Sequence, residues 1–412
     1  MLISSLRFVS FRNVRDAEVA TQAKDVFLVG ENGQGKTNFL EGVYFCSYAS
    51  SFRSVNDREL ICNTIHNAAE NGEANERKSK GCSVQARFMM QTTPVLYEKV
   101  LVKIEDNRKT IIIDGKKVED RKELLSVAPC IVFCHEDMVF AAGTPENRRW
   151  FFDQSQSLCD PVYVDDLRNY RKILRSRNIV LKDYENDALY KTQMLDVLDP
   201  QLARYGIHIM KKRSEAVRLF SQTFTPLYAY VSGIDNIEVR YIPSWNLRAY
   251  RQQRQRKSSA ATSPADAAAN DSVSDEEPDE ETIVALLKNR REGDCSFGVT
   301  MTGPHRDKYA FTCKGADFAR TASTGQRRLL VLLLRAAEAR RFSDMSGKKP
   351  ILLLDDVLLE LDPEKRYRFL EVLPEYDQAF YTFLPEEPYL RYQKFDTIVY
   401  KAANGVLSRM DG

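Results

Sequence analysis

The stretch Phe27–Leu40, FLVGENGQGKTNFL, sets three glycines, a lysine and a threonine inside an apolar frame. Its centre, Gly30-Glu31-Asn32-Gly33-Gln34-Gly35-Lys36-Thr37, fits the pattern G-x-x-x-x-G-K-S/T. Glycines let successive backbone N–H groups converge on a phosphate, and a helix starting there adds partial positive charge. Lys36 would reach the terminal phosphates, and Thr37 would offer its hydroxyl to Mg²⁺. The flanks decide between this cradle and an ordinary glycine turn. KDVFLVG runs apolar into the glycines, as a buried strand does. KTNFLEGVYFCSYA carries Phe39, Leu40, Val43 and Tyr44 at helical spacing. A strand–turn–helix junction is expected at Gly30–Thr37, with Gly30 through Thr37 as the nucleotide-binding residues.

A phosphate cradle alone hydrolyses nothing; it needs a metal ligand and a positioned water. ILLLDD, residues 351–356, is an apolar strand that delivers two carboxylates at its end. Asp355 would hold Mg²⁺ directly or through water, and Asp356 would orient or deprotonate the attacking water. Adjacent like charges after a buried run are costly without a cation. A third element, Ser323-Thr324-Gly325-Gln326, opens a helix and sets a hydroxyl and N–H groups at its positive end. Read alone it is an ordinary N-cap. Beside the other two elements it reads as a second phosphate-binding end, serving the γ-phosphate held by a partner copy.

Composition narrows the rest. In 412 residues, 43% hydrophobic and 29% charged, there is material for one large domain or two ordinary ones. The net charge of +2 gives no global nucleic-acid signature, so any basic patch is local. The first residues lack the apolar core of a signal peptide and no apolar run spans a membrane, so a cytoplasmic protein is expected. Eight scattered cysteines contain no CxxC, and reduced core thiols are expected rather than a metal site.

Outward from the cradle, LISSLRFVSF reads as a strand, and residues 82–118 as an antiparallel meander with a tight turn at Asp114-Gly115. Between about Glu146 and Arg256 the period becomes helical. Arg168, Arg171, Lys172, Arg175, Arg177 and Lys182 form one basic stripe, and Lys211, Lys212, Arg213 and Arg218 a second. Residues 251–281 are basic, then Ser/Ala-rich, then acidic, which predicts a disordered insertion. GVTMTGPHRDKYAFTCKG reads as paired strands, and strands alternate with helices to the end. The expected fold is α/β: a P-loop ATPase head built from residues 1–135 and 297–412, with a helical lobe over 136–296 inserted.

The order P-loop, long insertion, Ser-x-Gly-Gln, Asp-Asp and ELD resembles the ATP-binding-cassette heads of the SMC type. LRFVSFRNV, SSFRSVNDRELI, GTPENRRWFFD, TGPHRDKYAF, STGQRRLL and LLLDDVLLELD, in that order, are similar to the RecF family over nearly the whole chain. The resemblance implies a weak ATPase with ATP and Mg²⁺ as cofactors, forming an ATP-dependent homodimer. It implies sequence-independent binding to duplex DNA and single-strand/double-strand junctions, and work with RecO and RecR in recombinase loading, DNA repair, replication and the SOS response. Carried onto this chain, Lys36 and Thr37 match the ATP and Mg²⁺ ligands, Asp355 the metal ligand and Asp356 the catalytic acid. Ser323, Gly325 and Gln326 match the signature reaching across the dimer, Thr382 the switch residue, and Arg12 and Asn13 a nucleotide-side motif. Arg53, His305 and Arg306 take family positions without a derived role. Leu359, the long 251–281 segment and YTFLPEEPYL depart from the pattern. The alternative reading is an SMC-like ATPase acting on a protein partner.

Overall fold

The computed structural model describes residues 2–53, 56–62, 81–90, 96–120, 122–127, 129–183, 188–245, 279–358 and 361–410. Leu359 and all but the last three residues of 251–281 lie outside these. Two compact units emerge: Met1–Ala142 with Pro226–Asp235 and Ala322–Gly412, and Gly143–Thr225 with Asn236–Thr321.

The first unit begins with β1 (Leu2–Val9), β2 (Ala17–Ala20), β3 (Asp25–Val29) and α1 (Lys36–Tyr48). β4 (Gly81–Met90), β5 (Leu96–Glu105), β6 (Arg108–Ile113) and β7 (Lys116–Val118) follow, then α2 (Lys122–Val127), β8 (Cys130–Phe133) and α3 (Met138–Ala142). One sheet, in order β2-β1-β4-β5-β6-β7, is antiparallel throughout. Its strands alternate: Cys82, Val84, Ala86 and Phe88 are buried, as are Val100, Val102 and Ile104. That is the pattern of a sheet with one covered face.

The second unit carries α4 (Pro145–Cys159), α5 (Pro161–Lys182), α6 (Ala188–Ser232), β9 (Ile237–Ile242), α7 (Glu280–Phe297), β10 (Lys308–Cys313), β11 (Ala316–Asp317) and α8 (Phe318–Thr321), the end of α6 excepted. Asp160 caps α5 through the Val162 and Tyr163 amides, and Asp279 caps α7 through the Thr282 amide. Tyr163, Tyr170, Leu202, Trp245, Ile283 and Leu287 belong to its core. The paired strands expected over 298–315 reduce to β10, which pairs with β9 and β11. Gly303, at φ +127°, followed by Pro304, turns the chain before a longer strand can form. Residues 297–321 group with the helical unit, whereas the sequence pattern put them with the head, and residues 136–142 and 226–235, expected in the lobe, group with the head.

Two cations expected on exposed stripes are interior. Arg177 is wholly buried, with Nε 2.8 Å from Asp199 and NH1 2.7 Å from Asp294. Arg213 is 4% exposed and pairs with Asp153 at 2.9 Å and Asp307 at 2.8 Å. Both lie on the apolar face of their helix: Tyr170, Ile173 and Val180 beside Arg177, Ile209, Ala216 and Val217 beside Arg213. Helical period, read for charge alone, placed them outside.

The chain then returns to the first unit as α9 (Thr324–Ser346), β12 (Ile351–Leu354), α10 (Pro363–Val372), β13 (Gln378–Phe383), β14 (Thr397–Ala403) and β15 (Val406–Arg409). The second sheet of this unit runs β15-β14-β3-β13-β12-β8, parallel except for β15. β3, β8, β12 and β13 are buried at every position, as strands covered on both faces are. Phe39, Leu40, Val43 and Phe45 of α1 share one core with residues of both sheets, none of the four exposed. Each such side chain contributes about 1.5–3 kcal/mol by leaving water. Parallel pairing brings the carboxyl ends of β3, β8, β12 and β13 to one edge, where ligands of open α/β sheets bind.

Candidate nucleotide site

β3 ends at Val29, and the Gly30 amide extends its ladder by donating to the Phe383 carbonyl at 3.1 Å. The loop then wraps back to α1, whose N-cap, Gly35, sits at φ +102° and supplies no side-chain cap. A side chain at Gly35 would be strained there, and the missing cap leaves the first helical amides to an anion. Lys36 is 4% exposed, and its ammonium donates to the Gly30 carbonyl and to the Glu31 carbonyl at 3.4 Å. A cavity of about 240 Å³ is lined by Glu31, Asn32, Gly33, Gly35, Lys36 and Thr37 together with Asn13, Asn38, Arg53 and Asp356.

The loop is propped from outside its own sequence. Asn13 Nδ2 donates to the Gly33 carbonyl at 3.1 Å. The turn between β14 and β15 holds Gln34: the Asn404 amide donates to its Oε1 at 2.6 Å and the Gly405 amide to its carbonyl at 3.2 Å. A Cβ on Gly405 would lie 1.9 Å from the Asn13 carbonyl oxygen, so this turn admits only glycine. Arg12 does not line the cavity. Its guanidinium grips the fully buried Glu41 with two hydrogen bonds, 2.9 and 2.8 Å.

The acid-ended strand lands beside the loop. Thr37 Oγ1 donates to Asp355 Oδ1 at 2.9 Å, joining positions 318 residues apart. Thr382 Oγ1 lies 3.1 Å from Asp355 Oδ1 and 2.8 Å from Asp356 Oδ1, so its one proton is shared between two carboxylates. It also accepts from the Asp356 amide at 2.8 Å. Asp356 adopts φ +52°, a left-handed conformation that aspartate tolerates and most residues do not. Burial first, then the neighbouring Asp356 carboxylate, pushes the Asp355 carboxyl up to about 6. A hydroxyl, one buried carboxylate and a second beside it are hard oxygen donors of the kind Mg²⁺ takes together with phosphate oxygens. The donor set therefore fits that ion.

Ser323, Gly325 and Gln326 do not line this cavity. They form the capping box of α9: Ser323 Oγ accepts from the Gln326 amide at 3.2 Å, and Gln326 Oε1 accepts from the Ser323 amide at 2.8 Å. Gly325 has helical backbone geometry, and a Cβ there would meet nothing within 4 Å.

Three residues at the site carried no role in the sequence reading. Arg53 lines the cavity, donates to Asn38 Oδ1 at 3.0 Å and pairs with Glu136 at 3.3 Å. Asn38 in turn donates to Asn13 Oδ1 at 2.6 Å. Glu136 follows β8, and CIVF before His-Glu-Asp repeats the signal that exposed Asp355, an apolar strand ending in acid. His305, by contrast, belongs to the second unit and is structural. Its ring lies between the Tyr170 hydroxyl at 2.7 Å and the Thr300 carbonyl at 2.9 Å, and burial lowers its pKa to about 4.

Residues 2–405 match the family model described as RecF/RecN/SMC N terminal domain. A protein of Treponema pallidum (strain Nichols) named DNA replication and repair protein RecF is 38% identical over 96% of this chain and 98% of its own. A protein of the same name from Bacillus subtilis (strain 168) is 30% identical over 93% of each. A solved structure of the recombination mediator protein RecF with ATP, of the RecFOR pathway, superposes with a TM-score of 0.79. It is 24% identical, over 99% of this chain and 97% of that one, and shows the same fold.

Proposed function

The chain belongs to the RecF/RecN/SMC family, and from that premise we propose that it is an ATP-dependent DNA-binding protein of recombinational repair and replication restart. It is a weak ATPase whose two copies close on ATP. The observation that carries this reading is the meeting of Thr37 and Asp355 at 2.9 Å beside an uncapped helix start. The loop amides and Lys36 bind the phosphates, exchanging the carbonyls that now hold the ammonium. Asn13 flanks the nucleotide, whereas Arg12, held by Glu41 outside the cavity, does not. Thr37 and Asp355 would hold Mg²⁺, which when bound neutralises charge on the phosphate oxygens. Asp356 receives the proton of the attacking water, and Thr382 keeps the two carboxylates oriented.

In this reading the far side of the γ-phosphate is completed by a second copy. The α9 start of that copy supplies the contact. A helical glycine costs about 1 kcal/mol relative to alanine, and no packing among the described residues within 4 Å of a Cβ at Gly325 accounts for it. Close approach of a phosphate does. DNA is held through backbone charges drawn from the exposed Arg168, Arg171, Lys172, Arg175, Lys182, Lys211 and Arg218, without sequence readout. RecO and RecR are the partners by likeness to the solved mediator.

The test is the ATPase rate with and without gapped or duplex DNA, at low and high salt. Stimulation that fades with salt is expected; an unchanged rate with no ATP-dependent DNA retention overturns the reading. Asp356→Asn should bind ATP, turn over about 10²–10⁴-fold more slowly, and accumulate as a dimer in light scattering. A monomer in saturating ATP would contradict the shared site.

A further inference from the structure

The first unit holds a second cavity, unrelated to the phosphate loop. It has a volume of about 580 Å³ and lies among β3, β13, α10 and the segment between β13 and β14. Its walls are aromatic: Tyr367, Tyr376, Tyr381 and Tyr392 line it, with Leu370 and Leu373. Asp25 lines it as well, although only 1% of its surface is exposed. Asp25 Oδ1 accepts from the Tyr376 hydroxyl at 2.8 Å, whereas Oδ2 is buried and has no hydrogen-bond donor. The nearest cation, Lys394, stands 3.8 Å from Oδ2 with about two thirds of its side chain exposed. Burial holds the Asp25 carboxyl above its ordinary range despite both neighbours. A buried acceptor without a donor is costly, and here its residue forms part of the wall of a space large enough for a side chain and more.

We infer that this cavity is a docking pocket for a cationic side chain, arginine above all, carried on an extended segment of a partner protein. Tyrosine faces favour a guanidinium over a neutral group, and its N–H fork supplies the donor that Oδ2 lacks. An anionic occupant would meet the Asp25 carboxylate at the interior. Of the cations lining the cavity, Arg366 is tied to the Tyr392 hydroxyl and the Leu361 carbonyl, and Arg391 and Lys394 are exposed, so residues flanking the inserted cation are acidic. Phe395, wholly exposed, follows Lys394 directly and offers the segment an apolar contact. Nothing in this site depends on nucleotide.

Fluorine NMR of the full chain carrying meta-fluorotyrosine tests it, with the Tyr376 resonance assigned through Tyr376→Phe. The probes are N-acetyl-arginine amide, its neutral isostere N-acetyl-citrulline amide, and a pentapeptide with a central arginine between glutamates. The arginine amide should shift the Tyr376 resonance saturably and bind about ten-fold tighter than the citrulline amide. Asp25→Asn should erase that ten-fold while ATP binding persists. The pentapeptide should bind at least about three-fold tighter than the free amide, and Tyr367→Ala should weaken it without touching the fold, since Tyr367 is 65% exposed. No saturable shift, equal binding of the two amides, undiminished binding to Asp25→Asn, or a pentapeptide no better than the amide would each overturn the proposal. Should Asp25→Asn fail to fold, the arginine–citrulline difference in the wild-type chain and the Tyr367→Ala result decide.

Discussion

Both units of this protein bury charge, and the acid pair after β12 is balanced differently from the buried ion pairs of the helical unit. In the helical unit Arg213 sits between Asp153 and Asp307, with the Tyr163 and Tyr241 hydroxyls completing the bonds. Arg177 is likewise held by Asp199, Asp294 and the Thr300 hydroxyl. These centres are ion-paired from within. In the head, Asp355 and Asp356 share the Thr382 hydroxyl, Asp355 also takes the Thr37 hydroxyl, and among the described residues no lysine or arginine pairs with either acid. A buried charge that its own fold compensates is structural; one left uncompensated marks a place where a ligand completes the account.

Four substitutions break or sharpen that contrast. Arg213→Met strands two buried carboxylates and should cost about 3–5 kcal/mol of stability, read by urea or thermal unfolding. Asp355→Asn should do the reverse in Mg²⁺-free buffer. A carboxyl whose folded pKa is raised contributes stability below its unfolded value, near 3.8, and loses it as pH rises through about 6. Removing its charge should therefore stabilise the nucleotide-free protein at pH 8 by an amount on the order of 2 kcal/mol and change little at pH 4. Turnover should be lost in the same variant.

His305 titrates with the opposite sign. Its lowered folded pKa contributes stability above about 6.5 that is lost as pH falls toward about 4. His305→Gln should flatten that acid-side loss, which is on the order of 2 kcal/mol or less in the wild type. A slope unchanged by the substitution would mean the ring is not the titrating group. The smallest expected effect is at an exposed member of the basic stripe. Lys172→Ala should leave stability within about 0.5 kcal/mol while lowering the salt slope of DNA binding by about one.

How much of this was legible beforehand follows the same division. Gly30–Thr37 declared its turn because positive φ, an apolar strand before it and helical spacing after it are local properties. Asp355 and Asp356 declared themselves because two acids after four apolar residues are hard to explain otherwise. Arg177 and Arg213 deceived, since a helix bearing a cation every three or four residues looks solvated until its partners are known. Those partners, Asp294 and Asp307, lie about a hundred residues away. Arg53 and Glu136 had no local signal strong enough to join them.

From its sequence alone, then, this chain determined which segments become strands and helices around a phosphate cradle, because backbone geometry and burial period act over a few neighbouring residues. Only the tertiary structure decided that Thr37 meets Asp355, that the Asn404-Gly405 turn braces the loop, and that Asp25 ends without a donor beneath four tyrosines. Those outcomes depend on strand order and on contacts hundreds of residues apart, where no local pattern says which side chain will find a partner.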